Sequence, residues 1–183
     1  MKKIETSIPG LWLIEPTVFE DARGFFFESY HQEKLARLGV HTPFVQDNHA
    51  RSVRDTLRGL HYQINRPQAK LCRVISGEVL DVAVDIRRNS PHFGKHVGVR
   101  LSAENRLQMY IPEGFAHGYL VLSESAEFVY KCSDFYFSEH DRGVLWNDPQ
   151  LGIDWGIANP ILSQKDLRNP RLADISVTDL PQY

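Results

Sequence analysis

The densest group of reactive side chains lies in Arg58-Gly59-Leu60-His61-Tyr62-Gln63, with Lys70 opening the next apolar run. A fixed cation, a titratable imidazole and an amine whose basicity responds to burial are the parts from which general acid–base chemistry is made. On an ideal strand Arg58 and His61 face opposite sides, because their separation is odd. Gly59 predicts a bulge that turns both to one side. The plainer alternative is a surface arginine beside a half-buried histidine.

Three further groups stand out. Ile111-Pro112-Glu113-Gly114-Phe115-Ala116-His117-Gly118 sets a tight turn ahead of a strand that begins near His117, which as a turn histidine would simply bond to backbone. Tyr130-Lys131-Cys132-Ser133-Asp134-Phe135-Tyr136 is aromatic. Aromatics in strands usually pack, but a tyrosine at a barrel mouth can also donate a proton or stack on a planar ring. Asp21-Ala22-Arg23-Gly24-Phe25-Phe26-Phe27-Glu28 joins a turn to a strand whose three phenylalanines must face both sides. That predicts cover on both faces, with a second subunit as one candidate. The polar stretch Gln46-Asp47-Asn48-His49-Ala50 on its own reads as an ordinary loop.

Short strands must position these groups. In Gly77 to Arg87, Leu80, Val82, Val84 and Ile86 alternate with Asp81, Ala83 and Asp85, a strand with one apolar face. Similar runs at Val97–Leu101, Leu107–Ile111 and Phe128–Cys132 are divided by turn clusters at the spacing of an all-β sandwich or barrel. Helical signal is confined to His31–Leu38, stopped by Gly39, and to one turn at Ser163–Asp166. From Ser138 the alternation fades, and prolines punctuate a tail that still holds Trp146, Ile153, Trp155 and Leu162. Such a tail should wrap over the β core and bring polar groups to its mouth. The expected organisation is one domain over residues 1–183, with a core of about 40–137, N-terminal strands in 1–39 and a C-terminal extension in 138–183.

The bulk composition excludes partners without choosing a task. The 183 residues are 42% hydrophobic and 24% charged, with 23 acidic against 21 basic groups and a formal charge of −2. Electrostatic capture of nucleic acid or of an anionic membrane has little to work with. Two cysteines, Cys72 and Cys132, make neither a disulfide framework nor a cysteine-based zinc site, and fit small buried hydrophobes in a reducing compartment. No run approaches the ~20 apolar residues of a membrane span, and Met1-Lys2-Lys3 has no apolar stretch behind it, so a cytoplasmic protein is expected.

Pro112-x-Gly114-x-x-His117 resembles the second motif of the cupins, small jelly-roll barrels. In metal-binding cupins that histidine joins a His-x-His pair and a glutamate. Here Tyr62-Gln63 follow His61, the second histidine is missing, and no metal site is expected. The whole pattern is similar to one cupin family, the dTDP-4-dehydrorhamnose 3,5-epimerases, over about Ile8 to Leu172. The resemblance rests on the order and spacing of Asp21-x-Arg23-Gly24-x-Phe26-x-Glu28, Gln46-Asp47-Asn48, Arg58 to Gln63, Ala69-Lys70, Asp81 to Arg87, Ser90-Pro91, Pro112 to Gly118, Tyr130-Lys131 and Asn147-Asp148-Pro149.

That resemblance implies an all-β, cupin-type double-stranded β-helix with short flanking helices and a C-terminal extension. It implies an isomerase that inverts C3 and C5 of dTDP-4-dehydro-6-deoxy-D-glucose without metal or organic cofactor. His61 would be the base, oriented by Asp166. Lys70 would stabilise charge on the C4 oxygen, and Tyr130 would be the acid on the opposite face of the ring. Arg23, Arg58 and Lys165 would hold phosphate or sugar. Glu28, Gln46, Asp47 and Asn48 would meet thymine, deoxyribose or neighbouring side chains, Tyr136 would stack on the base, and His117 would contact substrate. Asp141 stands where a glutamate is expected. The family's homodimer exchanges N-terminal strands, so Arg23 and Glu28 would serve the partner's site. Three rivals predict different behaviour: an epimerase of C3 or C5 alone, a metal-dependent cupin oxygenase, and a non-catalytic sugar-binding cupin.

Overall fold

The alternating runs form strands, and their order in a computed structural model of residues 1–183 is almost wholly β. The chain opens with β1 (Lys2–Glu5), β2 (Trp12–Glu15), β3 (Phe19–Asp21), β4 (Gly24–Phe26) and the only α-helix, α1 (Gln32–Arg37). There follow β5 (Gln46–Val53), β6 (Leu57–Gln63), β7 (Lys70–Ser76), β8 (Glu78–Asp85), β9 (His96–Ser102), β10 (Gln108–Ile111), β11 (Phe115–Val121), β12 (Ser125–Cys132) and β13 (Asp141–Gly143). Two antiparallel sheets result, one in the order β1-β2-β10-β7-β12-β5 and one in the order β13-β6-β11-β8-β9. They face one another as the jelly roll expected from the sequence. The polar stretch at Gln46, read alone as a loop, is the start of β5, because its alternate residues face the space between the sheets.

The strand at Gly77–Arg87 is apolar on one side, but neither side meets water. Val79 and Ala83 join the core between the sheets, and Asp81 and Asp85 on the same side are 0% exposed. Val82, Val84 and Ile86 face outward and pack with Leu57, Leu60, Leu120, Val144, Trp146, Trp155, Leu172 and Leu180. The C-terminal extension therefore makes a second core against the outside of the five-stranded sheet. Trp155 Nε1 donates to the Trp146 carbonyl at 2.8 Å, and both Asp148 oxygens accept backbone N–H groups, from Gln150 at 2.9 Å and Leu172 at 2.7 Å. Ile161 pairs in parallel with Thr56 at the entrance to β6. A single 3-10 turn at Asp166–Arg168, with Asp166 N donating to Ser163 Oγ, then lies against β6.

The bulge anticipated at Gly59 is present. In the pairing of β6 with β11, Tyr119 stands opposite Arg58 and His117 opposite His61, so three steps on β6 match two on β11. Leu57 and Leu60 both face outward, and Arg58 and His61 both face the cavity between the sheets. The crossing is tight. A Cβ on Gly59, at φ +120°, would lie 2.6 Å from Gly118 Cα and from the His117 carbonyl oxygen, and a Cβ on Gly118 would lie 2.7 Å from the Arg58 carbonyl oxygen.

The β3–β4 hairpin pairs with neither sheet, and it leaves Phe19, Phe25 and Phe26 exposed. In urea unfolding, Gly118→Ala should cost about 1–3 kcal/mol by overpacking, and Gly59→Ala should cost more because backbone strain adds to the clash. Losses under ~0.5 kcal/mol at both positions, the range of ordinary surface changes, would show that the crossing can relax.

Candidate active site

Between the sheets lies a cavity of ≈ 450 Å³, lined by Arg58 and His61 from β6, His117 and Tyr119 from β11, Lys70 from β7, Tyr130 from β12, and Lys165 and Asp166 from the extension. Residues more than a hundred positions apart thus share one space. The two sheets supply opposite walls, with His61 and His117 on the five-stranded side and Lys70 and Tyr130 on the six-stranded side.

His61 Nε2 donates to Asp166 Oδ1 at 2.6 Å, and the Asp166 side chain is 4% exposed. Burial raises the Asp166 pKa, but hydrogen bonds from His61, Ser163 and the Gly59 N–H, with the positive charge His61 bears when protonated, outweigh it and hold the carboxyl below its ordinary value. This bond fixes the ring's orientation and the nitrogen that carries the proton, leaving Nδ1 to accept one. Across the cavity, burial pushes the Tyr130 phenol well up, Cys132, Cys72 and Tyr119 push the same way, and Arg58 pulls back. Tyr130 is therefore kept as a neutral O–H donor. Lys70 Nζ lies 5.9 Å from the Tyr130 ring centre.

A second imidazole–carboxylate pair sits deeper. His117 Nε2 bonds to Asp81 Oδ1 at 2.6 Å, a side-chain partner in place of the backbone contact that a turn histidine would make. Burial lowers the His117 pKa although Asp81 draws it back. Asp81 was hidden in the sequence because it occupies an ordinary alternating polar position; only the enclosure of that face marks it out. Cys72, Asp81 and His117 bring ligand atoms within 4.8 Å of one another. They suit a metal poorly: two ligands ~2 Å from a tetrahedral ion stand roughly 3.3 Å apart, whereas Asp81 and His117 are at bonding distance. Burial also holds the Cys72 thiol protonated.

At the rim, the Asp141 carboxylate accepts from Tyr136 Oη at 2.9 Å and is paired with Lys165 Nζ. Gln46 Oε1 accepts from the Tyr136 backbone N–H at 3.0 Å, and its Nε2 donates to Asn48 Oδ1 at 3.1 Å. Gln46, Asn48, Tyr136, Asp141 and Lys165 are thus linked into one side of the mouth. Asp47 is not part of it. It alternates to the outside of β5 and pairs with Lys131 at 2.8 Å. Arg23 and Glu28 are also elsewhere within the single chain, Arg23 bonded to Asp21 in the β3–β4 turn and Glu28 paired with Lys34. Both cysteines are buried and unpaired, as expected.

A jelly roll with an imidazole–carboxylate pair, a facing tyrosine and the cations Arg58, Lys70 and Lys165 in the cavity between its sheets defines a cupin-type fold. Residues 5–174 match the sequence pattern of dTDP-4-dehydrorhamnose 3,5-epimerase, and the chain belongs to that family. The dTDP-4-dehydrorhamnose 3,5-epimerase of Pseudomonas aeruginosa is 57% identical over 176 residues, 95% of this chain and 97% of that one. A dTDP-6-deoxy-D-glucose-3,5-epimerase of Legionella pneumophila, solved with dTDP-4-keto-L-rhamnose, is 49% identical, with a TM-score of 0.97 over 100% of this chain and 98% of the other. A 3'-monoepimerase of Streptomyces bikiniensis, solved with dTDP-quinovose, is 37% identical, with a TM-score of 0.90 over 97% of this chain and 92% of the other.

The His61–Asp166 pair has a signature in acid. Because the folded Asp166 pKa is depressed, its contribution to stability is complete above the unfolded carboxylate value near 4 and is lost as pH falls through the lower folded value. The stability difference between the parent and Asp166→Asn, followed by urea unfolding, should therefore shrink on the acid limb. A difference that stays constant to the acid-unfolding limit would mean that Asp166 gains nothing from His61.

Proposed function

We propose that this chain, an epimerase of the dTDP-4-dehydrorhamnose 3,5-epimerase family, converts dTDP-4-dehydro-6-deoxy-D-glucose to dTDP-4-dehydro-L-rhamnose with the cavity between its sheets as the active site. The observation that carries the reading is the His61–Asp166 pair on one wall with Tyr130 on the facing wall. C3 and C5 both flank the C4 ketone, so each proton is acidified by the substrate's own carbonyl. His61 Nδ1 removes the proton, Asp166 stabilises the imidazolium, and the electron pair moves into the enolate oxygen. Lys70 offers a cation to that oxygen, where charge develops only during the reaction. Tyr130 returns a proton from the opposite side, which inverts the carbon. The same base and acid serve C3 and C5 after a small rotation of the ring. No redox or group-transfer step occurs, so the proton transfers need no cofactor.

Arg58 and Lys165 supply cations for the diphosphate and sugar, Arg58 in a geometry suited to bidentate oxygen recognition. Tyr136 is the candidate to stack on thymine, held by Gln46 and Asp141. Asp141 is shorter than a glutamate by one methylene, yet it reaches both Tyr136 and Lys165. His117 contacts the sugar from beside His61. Arg23, Glu28 and Asp47 reach a nucleotide only from a second subunit or from an adjoining surface. That placement, with the uncovered Phe25 and Phe26 beside Arg23, supports a homodimer in which the β3–β4 segment serves the neighbouring site. The chain acts as a single domain, and its buried unpaired cysteines suit the cytoplasm. No helix is long and apolar enough to cross a membrane.

His61→Asn should lose at least ~10²-fold in turnover, the usual worth of a general base, while dTDP binding by calorimetry survives; near-normal turnover would remove His61 from the mechanism. Reaction in D2O distinguishes the outcomes at carbon. Two deuterons in the product fit double epimerisation, one fits an enzyme like the Streptomyces monoepimerase, and none would end the proton-transfer reading. For the dimer, mixing inactive Arg23→Ala and His61→Asn subunits should restore activity that neither has alone. Failure to do so in a proven mixed dimer would place Arg23 in its own chain's site or in none.

A further inference from the structure

We propose that the Tyr119 hydroxyl is a further substrate-binding group, which donates a hydrogen bond to an oxygen of the sugar when the cavity is filled. The inference rests on the reading of this cavity as the sugar site. Tyr119 follows His117 by two residues on β11, so the two side chains share the inward face, and in the ladder it stands opposite Arg58. Its ring stacks on Phe128, with centres 4.2 Å apart and planes 18° from parallel, which leaves it little freedom to turn away. With Arg58, His61, Lys70 and Tyr130 it lines the cavity.

The residue is 5% exposed, and its hydroxyl has no hydrogen-bond partner in the protein. Ser52 Oγ on β5 accepts from Arg58 Nε at 3.0 Å and is also near the Tyr119 hydroxyl, without a well-formed hydrogen bond between the two. The Arg58 guanidinium carries only donors, so it cannot satisfy a phenolic O–H either. A buried hydroxyl without a partner destabilises the free protein, and phenylalanine would stack on Phe128 equally well without that cost. An acceptor on a bound ligand would complete the hydroxyl that Ser52 leaves without a well-formed bond. Beside His117, and across from Tyr130, the groups assigned to the hexose, an oxygen of the sugar is the acceptor that fits, ahead of the base or the diphosphate at the rim.

Calorimetric titration of the parent and Tyr119→Phe with dTDP, and with the unreactive 6-deoxyhexose conjugate dTDP-L-rhamnose, separates the possibilities. The variant should bind dTDP as the parent does, bind dTDP-L-rhamnose roughly tenfold more weakly, and melt no lower than the parent. An equal loss for both ligands, or no loss for either, would overturn the assignment. So would a lowered Tm with sugar binding intact, which would mean that the hydroxyl bonds to Ser52 or to an internal water in the free protein. Failure of the underlying reading looks different: His61→Asn would then retain turnover whatever Tyr119→Phe does.

Discussion

A barrel that keeps charged and polar side chains in its interior must bury apolar surface somewhere else. Here that surface is the outside of the five-stranded sheet. The C-terminal extension covers Val82, Val84, Ile86, Leu57, Leu60 and Leu120 with Trp146, Trp155, Leu172 and Leu180. The inner faces of the same strands are thereby released to carry Asp81, His61, Arg58, His117 and Tyr119. Beyond the cavity the space between the sheets is conventional, filled by Phe128, Met109, Leu101, Val121 and their neighbours. Stability and chemistry are thus assigned largely to opposite sides of one sheet.

This division explains the electrostatics of the cavity. Fully buried carboxylates are expensive unless hydrogen-bonded. Asp166 accepts from His61 and is further stabilised by Ser163 and the Gly59 N–H of β6, and Asp85, buried at the far end of β8, is satisfied by Arg87 and Ser90. Asp81 has only one oxygen satisfied, by His117. The tyrosines respond in the opposite sense, since burial keeps them protonated. The Asp166-bonded imidazole of His61 on one wall thus faces the protonated phenol of Tyr130 on the other, an asymmetry that comes from the fold before any substrate enters.

Much of this could be read from residue order. Gly59 announced the bulge because an odd spacing between Arg58 and His61 had to be reconciled with a single working face, and the prolines and tryptophans of the tail announced a covering segment. Two features escaped. The β5 segment looked like a loop because polar residues at strand positions normally mark solvent, and only a polar barrel interior makes Gln46 and Asn48 inward-facing. Asp81 escaped for the converse reason: its strand seemed to have one dry side and one wet side, and no local pattern reveals that the wet side is enclosed. The pairing of Asp166 with His61 came from family likeness alone, since nothing within the tail's own sequence points to a particular histidine.

The separation of that pair along the chain, 105 residues, bears on how the cavity is assembled. His61 lies in the middle strands, whereas Asp166 is held by a tail anchored where Ile161 pairs with Thr56 and the tryptophans pack on the sheet. Closing so long a loop is entropically slow to reward. A barrel assembled without its tail would hold an imidazole of undirected tautomer in a solvent-open groove. Docking of the tail therefore joins two tasks: the segment that seals the hydrophobic surface also brings the carboxylate that orients His61.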